Sequence, residues 1–155
     1  MKNILITGVS SGIGFHLVKT FSNLPGYNII GFSRNKNKLK QLKSGIKSSN
    51  GSNLYLESID INKLTSKKLQ QIFAKHKIKK LDVLINNAGL LINKPFLKLK
   101  PADWQSIYNT NVFSQVALIQ YCYALLKKSK NAHIVNISSL GGIPVTDKFP
   151  GLSAY

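Results

Sequence analysis

The sequence predicts an α/β fold: a doubly wound parallel sheet with helices on both faces. Three observations predict it. Short apolar runs alternate with longer segments whose apolar residues recur at helical spacing. The runs are apolar at nearly every position, as strands covered on both faces must be. The polar and glycine-bearing motifs fall just past the ends of those runs, where ligands bind in open parallel sheets.

The elements follow in order. Residues 3–7 form a first strand that ends at a glycine turn. A helix over 12–24 carries Ile13, Leu17, Val18 and Phe21 on one stripe, and Pro25-Gly26 terminates it. Residues 27–33 make the second strand, and a lysine-rich helix over 36–47 turns Leu39, Leu42 and Ile46 inward. The polar stretch 48–53 is a loop and 54–59 a third strand. A helix over 65–77, a strand over 81–85 and a long helix over 102–128 come next; Pro101 suits the first turn of the last. Residues 133–138 are a fifth strand, followed by a glycine- and proline-bearing loop from 139 to 155.

A chain of 155 residues with 43% hydrophobic content supports one domain, here 1–155, and excludes intrinsic disorder. No apolar run reaches the length of a membrane span, and the N-terminal run is too short for a signal peptide. The single cysteine, Cys122, excludes an internal disulfide and fits a reducing compartment, so a cytoplasmic location is expected. The charge is lopsided, with 22 Lys plus Arg against 5 Asp plus Glu and a formal +17. A field of that size attracts polyanions. The lysines, however, are scattered through 36–47, 63–80, 94–100 and 127–130 and are not interleaved with aromatic stacking residues. A solvated lysine surface is the favoured reading, and nucleic-acid binding the lesser one. His16, His76 and His133 lack ligand-like spacing, so no metal is expected.

The turn between the first strand and helix reads Thr7-Gly8-Val9-Ser10-Ser11-Gly12-Ile13-Gly14. Glycines here allow a tight turn, close approach of a phosphate to backbone, and close helix–strand packing. The helix start offers free N–H groups and the positive end of the helix dipole, and Ser10 and Ser11 add hydroxyl donors. The spacing Gly-x-x-x-Gly-x-Gly differs from the Gly-x-Gly-x-x-Gly fingerprint, and alone it is equally a structural turn. It is accompanied by Asn86-Asn87-Ala88-Gly89, Asn111, Ile134-Val-Asn-Ile-Ser-Ser139 and Tyr155. In this order the motifs resemble the classical branch of the short-chain dehydrogenase/reductase family, over the whole chain. The resemblance implies a Rossmann-type fold and a nicotinamide cofactor. It also implies an oxidoreductase acting on CH–OH donors, with a carbonyl or secondary alcohol as the small-molecule substrate, and a homodimer or homotetramer for the full-length form.

The acidic residue that would hold an adenosine ribose 2′-OH belongs near the end of the second strand. That stretch is Gly31-Phe32-Ser33-Arg34-Asn35, with no carboxylate. Arg34 offers a planar fork for a 2′-phosphate and Ser33 a hydroxyl, which favours NADP over NAD. Asp60-Ile61 matches the family position that brackets the adenine, although Asp60 equally suits a helix cap. Asn86, Ala88 and Gly89 match the family's sheet-stabilising motif beside the ribose.

The catalytic residues implied by the resemblance are Tyr155, Ser139 and Asn111. Tyr155 would exchange a proton with the substrate oxygen, and Ser139 would orient that oxygen. Asn111 would hold a water of the proton relay. A free phenol titrates near ~10, so a cation must lower it. The family supplies a lysine four residues past the tyrosine. This chain ends at Tyr155, so the expectation is a C-terminally truncated domain, about 100 residues short of the family length, and weak or inactive as given. The interval from Ser139 to Tyr155 is longer than the family's usual one, which an insertion within 141–151 explains. A non-catalytic NADP-binding module is the alternative reading. Trp104 and the stripe Tyr108, Val112, Val116 and Ile119 are expected in the core or at a subunit interface, not beside the cofactor.

Overall fold

The computed structural model describes residues 1–46 and 51–139. Tyr155 and the 140–155 segment lie outside the described residues. Five parallel strands, β1 (Lys2–Thr7), β2 (Tyr27–Ser33), β3 (Asn53–Ser58), β4 (Val83–Asn86) and β5 (His133–Asn136), lie in the order β3-β2-β1-β4-β5. This is the Rossmann-type order, and it reverses direction at β1. The helices are α1 (Gly12–Ser22), α2 (Lys36–Ser44), α3 (Ser66–Lys75), α4 (Pro101–Tyr108) and α5 (Ser114–Leu126).

Strand alternation divides the core in two. Ile4, Ile6, Ile29 and Ile85 pack with Val18, Leu39 and Leu42 on the α1/α2 side. Leu5, Ile30, Phe32 and Leu84 pack with Leu69, Ile72, Phe73, Leu118, Cys122 and Leu126 on the α3/α5 side. Both faces of β1 are therefore covered along Ile4–Ile6, which is why those three consecutive residues are apolar. Helix α1 buries Gly14, Val18 and Ser22, one residue per turn and all small, so it sits close to the sheet. Asn35 and Thr65 cap α2 and α3 by accepting from Lys38 N and Lys68 N. Burial pushes the Cys122 thiol up to about 12, which makes it an inert core residue.

At the N-terminal rim the register sets Asn3, Asn28 and Asn53 side by side on β1, β2 and β3. Asn53 donates to Asn28 (2.9 Å) and Asn28 to Asn3 (2.7 Å), a ladder that fixes the strand register. Asp82 closes the same rim. It accepts from Asn3 N (2.8 Å), Lys80 Nζ (2.8 Å) and Ser129 Oγ (2.6 Å). Burial raises the Asp82 pKa, but these donors outweigh it and hold the carboxyl below its ordinary 3.8. A depressed pKa adds stability that is present above 3.8 and lost as the pH falls through the folded value. Asp82→Asn should therefore lower the melting temperature at neutral pH and flatten the acid limb of the melting profile. An acid limb as steep as the parent's would show that another carboxylate controls it.

Several boundaries differ from the sequence reading. Helices α1, α2 and α3 end at Ser22, Ser44 and Lys75, each two or three residues before the expected end, and only α2 stops short of its apolar stripe, before Ile46. Strand β3 begins one residue earlier, at Asn53, drawn in by the asparagine ladder. Strands β4 and β5 are shorter than expected, Val83–Asn86 and His133–Asn136, and the latter is exposed along its length. The long helix is not uniform: a π-helical segment, Asn109–Phe113, separates α4 from α5. Ile61–Lys63 and Phe96–Lys98 form single 3-10 turns between the expected elements. Among the described residues, no helix is long and apolar enough to cross a membrane.

Candidate dinucleotide site

A cleft of about 720 Å³ opens at the C-terminal rim of the sheet, over the point where the strand order reverses. The glycine turn after β1 lies at its centre. The β2 and β3 ends, Ser33-Arg34 and Ile59–Asn62, line one side; the β5 end, Asn136–Ser139, lines the other. Of the residues selected from sequence, Gly8, Ser10, Ser11, Gly12, Ile13, Ser33, Arg34, Asp60, Ile61, Ala88, Gly89, Asn111 and Ser139 all line this one cleft.

The turn leaves donors open towards the cleft. Ser11 is the N-cap of α1, yet its side chain makes no capping bond, so the hydroxyl is not used by the helix. No acidic residue stands in the first turn of α1. The first amides of an α-helix have no internal acceptor. Gly12 has φ +57°, and a Cβ placed on it would meet nothing within 4 Å, so its backbone is approachable from the cleft. Gly8 N and Val9 N both donate to Phe32 O (2.8 and 3.2 Å), which ties the turn to β2.

Thr7 joins the turn to β4. Its Oγ1 accepts from Asn87 N (3.0 Å) and Ala88 N (2.9 Å). Asn87 Nδ2 in return donates to Thr7 O (2.9 Å) and Gly8 O (3.2 Å). Asn87 belongs to the quoted motif but is given no place beside the cofactor from sequence, and it is the asparagine of the pair that lines the cleft. Asn86 does not line it. It is buried, sharing the α5-side face with Leu84, and donates from Nδ2 to Asn136 Oδ1 (2.9 Å) on β5. Its Oδ1 has no partner among the described residues. Gly14 does not line the cleft either; it packs beneath the turn against Gly8 and Asn87.

Asp60 follows β3 and caps the 3-10 turn by accepting from Asn62 N (3.1 Å) with Oδ1. Asp60 thus serves as a helix cap, but of this 3-10 turn, while the α-helix that follows is capped by Thr65. Arg34 is exposed, and among the described residues it forms no ion pair. Asn111 sits in the π-helical segment. Its Oδ1 accepts from Leu90 N (2.7 Å) and its Nδ2 donates to Leu90 O (3.0 Å), so its carboxamide clamps the loop after β4. Val112, set aside in the sequence reading as core or interface, lines the cleft while remaining exposed. Tyr108 and Val116 are also exposed, not core. Asn62, Thr110 and Gln115 are lining residues that no sequence motif singled out. No group of three or more His, Cys, Asp or Glu able to hold a metal occurs among the described residues.

A phosphate-accepting turn at a sheet's switch point is the mark of nucleotide-binding α/β proteins. Within that class the chain has a definite place: residues 2–155 match the family model for short chain dehydrogenase, and the chain belongs to that family. It is 34% identical over 137 residues to an uncharacterized oxidoreductase of Schizosaccharomyces pombe, a match spanning 88% of this chain and 53% of that one. It is 29% identical over 147 residues to the 3-oxoacyl-acyl-carrier-protein reductase of Chlamydia muridarum, covering 92% and 57%. A structure from Shigella flexneri 2a, described as a short chain dehydrogenase and complexed with NADP, superposes with a TM-score of 0.81 at 30% identity, covering 99% of this chain and 64% of that one. The chain thus spans about half the length of the curated relatives it matches.

Proposed function

We propose that the chain binds NADP(H), and that the protein it forms is an oxidoreductase acting on a carbonyl or secondary alcohol. One observation carries this reading: a single cleft holds the glycine turn and helix start at its centre, Arg34, with no ion pair among the described residues, on the β2 side, and Ser139 on the β5 side. The residues fit a dinucleotide laid across the rim. The amides of Gly12 and Ile13, with the hydroxyls of Ser10 and Ser11, would hold the diphosphate. Ser33 and Arg34 would take the 2′-phosphate, Asp60 and Ile61 the adenine, and Ala88 and Gly89 the space beside a ribose. The absence of a carboxylate at the end of β2 disfavours NAD, and the NADP complex of the similar Shigella protein supports the choice.

The bound nicotinamide supplies the hydride. The chain's own groups bind, orient and exchange the proton. Ser139, at the β5 end of the cleft, would donate a hydrogen bond to the substrate oxygen, and Tyr155 would exchange its proton with that oxygen. Asn111 holds the Leu90 backbone and so shapes the wall of the cleft. Titration with NADPH, followed by nicotinamide fluorescence, tests the binding claim. Saturation at micromolar concentrations is expected, with NADH weaker by about tenfold or more. The absence of saturable NADPH binding would defeat the proposal.

A further inference from the structure

The 3-10 turn that follows Asp60 projects from the edge strand β3, flanked by Ile59 and Leu64, which pack on the α5-side core, and its side chains reach the helical layer by one hydrogen bond. Asn62 Nδ2 donates to Thr110 Oγ1 at 2.9 Å. Among the described residues this is the one hydrogen bond joining the Ile61–Lys63 turn to the α4–α5 helical layer. Thr110 is buried and lies in the π-helical segment, next to Asn111, whose carboxamide grips Leu90. Asn62 also donates its backbone N–H to Asp60 Oδ1 (3.1 Å). One residue therefore fixes the Asp60 carboxylate from inside the turn and anchors the turn from outside. With Oδ1 engaged, Oδ2 is the oxygen left to accept from the cleft.

We infer that Asn62 and Thr110 are positioning residues for the adenine end of the cofactor: their bridge holds the Asp60 carboxylate where it reads a C6 amino group and rejects a C6 carbonyl. The inference rests on the proposed NADP(H) binding and goes beyond it by assigning base discrimination to a residue pair that touches the base only through Asp60. The geometry supports it. Asp60, Asn62 and Thr110 all line the β3 side of the cleft, beside Arg34. A carboxylate accepts from an exocyclic amine but faces a carbonyl oxygen with repulsion, so discrimination depends on the carboxylate being held in place. Without the bridge Ile59 and Leu64 still pack on the core, but the Asn62 side chain between them loses its tie to the helical layer and Asp60 can shift away from either base.

The test compares dissociation constants for NADPH and for its analogue carrying hypoxanthine in place of adenine. The parent chain is expected to prefer NADPH by about tenfold or more. Asn62→Ala and Thr110→Val should each reduce that preference to within about threefold, by weakening NADPH and leaving the analogue nearly unchanged. Thr110→Ser keeps the accepting hydroxyl and should restore the preference. A merely structural role would lower the melting temperature and weaken both nucleotides together. The inference is overturned if the parent shows no preference, or if Asn62→Ala and Thr110→Val retain it. Should the parent bind neither nucleotide, the NADP(H) reading itself fails and takes this one with it.

Discussion

Replacing Gly14 with alanine should cost the protein both its stability and its nucleotide affinity. A Cβ at this position would lie 2.5 Å from Asn87 Nδ2 and 2.6 Å from Gly8 O. Neither atom has room to move. Asn87 Nδ2 is bonded to Thr7 O and Gly8 O, and the Gly8 backbone sits at φ +73° with Ala88 packed against it. The methyl must push the helix off the turn or break those bonds. Overpacking and a lost buried hydrogen bond together amount to about 2–4 kcal/mol. For a domain of this size that is a fall in melting temperature of roughly 5–15 °C. Binding of NADPH should fall by about 100-fold, because the helix start no longer presents its amides. Gly12→Ala supplies the contrast. A Cβ there meets nothing within 4 Å, so the fold should lose only the roughly 1–2 kcal/mol of a positive φ. The methyl nevertheless stands where the proposed phosphate would approach, so affinity should fall strongly with a melting temperature only roughly 2–8 °C lower. If Gly14→Ala melts like the parent, the close-packing account of the turn is wrong.

Much of this architecture was legible because parallel sheets write themselves into sequence. Tyr27–Ser33 is the second strand in both readings, since a Pro-Gly break precedes an apolar run and a charged segment follows it. The π-helical segment was not legible. The buried residues Ile107, Thr110, Ser114 and Leu118 pass for one helical stripe, and an inserted backbone residue leaves little trace in such a pattern. Only the run Asn109-Thr110-Asn111, three poor helix formers in succession, hinted at a local departure. What stabilises that departure is tertiary: Asn62 on Thr110 and Leu90 on Asn111, partners 48 and 21 residues distant.

The site was legible to the same degree and for the same reason. Residues at the ends of strands converge on one rim, so the glycine turn, Arg34, Asp60 and Ser139 fell together once the sheet order was known. The exceptions follow strand alternation. Asn86 shares a face with Leu84 two residues before it and is buried with it, whereas Asn87 leaves the strand and reaches the turn. That signal was present in the sequence and pointed to Asn87. The Asn62–Thr110 pair carried no such signal, because β3 and the helix meet only in space.

If the proposed NADP(H) reading holds, Arg34 sets the preference between the two nucleotides, and its replacement by alanine should separate them. The residue ends β2, and its backbone is fixed by the Ser58 hydroxyl donating to Arg34 O at 3.2 Å. The nearby carboxylates are otherwise engaged. Glu57 is held by Lys75 Nζ and His76 Nε2, both at 2.7 Å, and Asp60 Oδ1 caps its own turn. The guanidinium is thus a cation facing solvent beside the cleft, free to form a forked, charge-assisted pair with a 2′-phosphate. Losing such a pair costs about 2–3 kcal/mol, so Arg34→Ala should weaken NADPH by roughly 30- to 100-fold. NADH lacks the phosphate and should change by less than about threefold. Arg34→Lys should fall between, since an ammonium keeps the charge but not the fork. Added salt should weaken NADPH more than NADH in the parent and narrow that difference in Arg34→Ala. Because the side chain is exposed, the melting temperature should stay near the parent value. If both nucleotides weaken equally, Arg34 acts only through the general positive field of a +17 chain, and the 2′-phosphate assignment is lost.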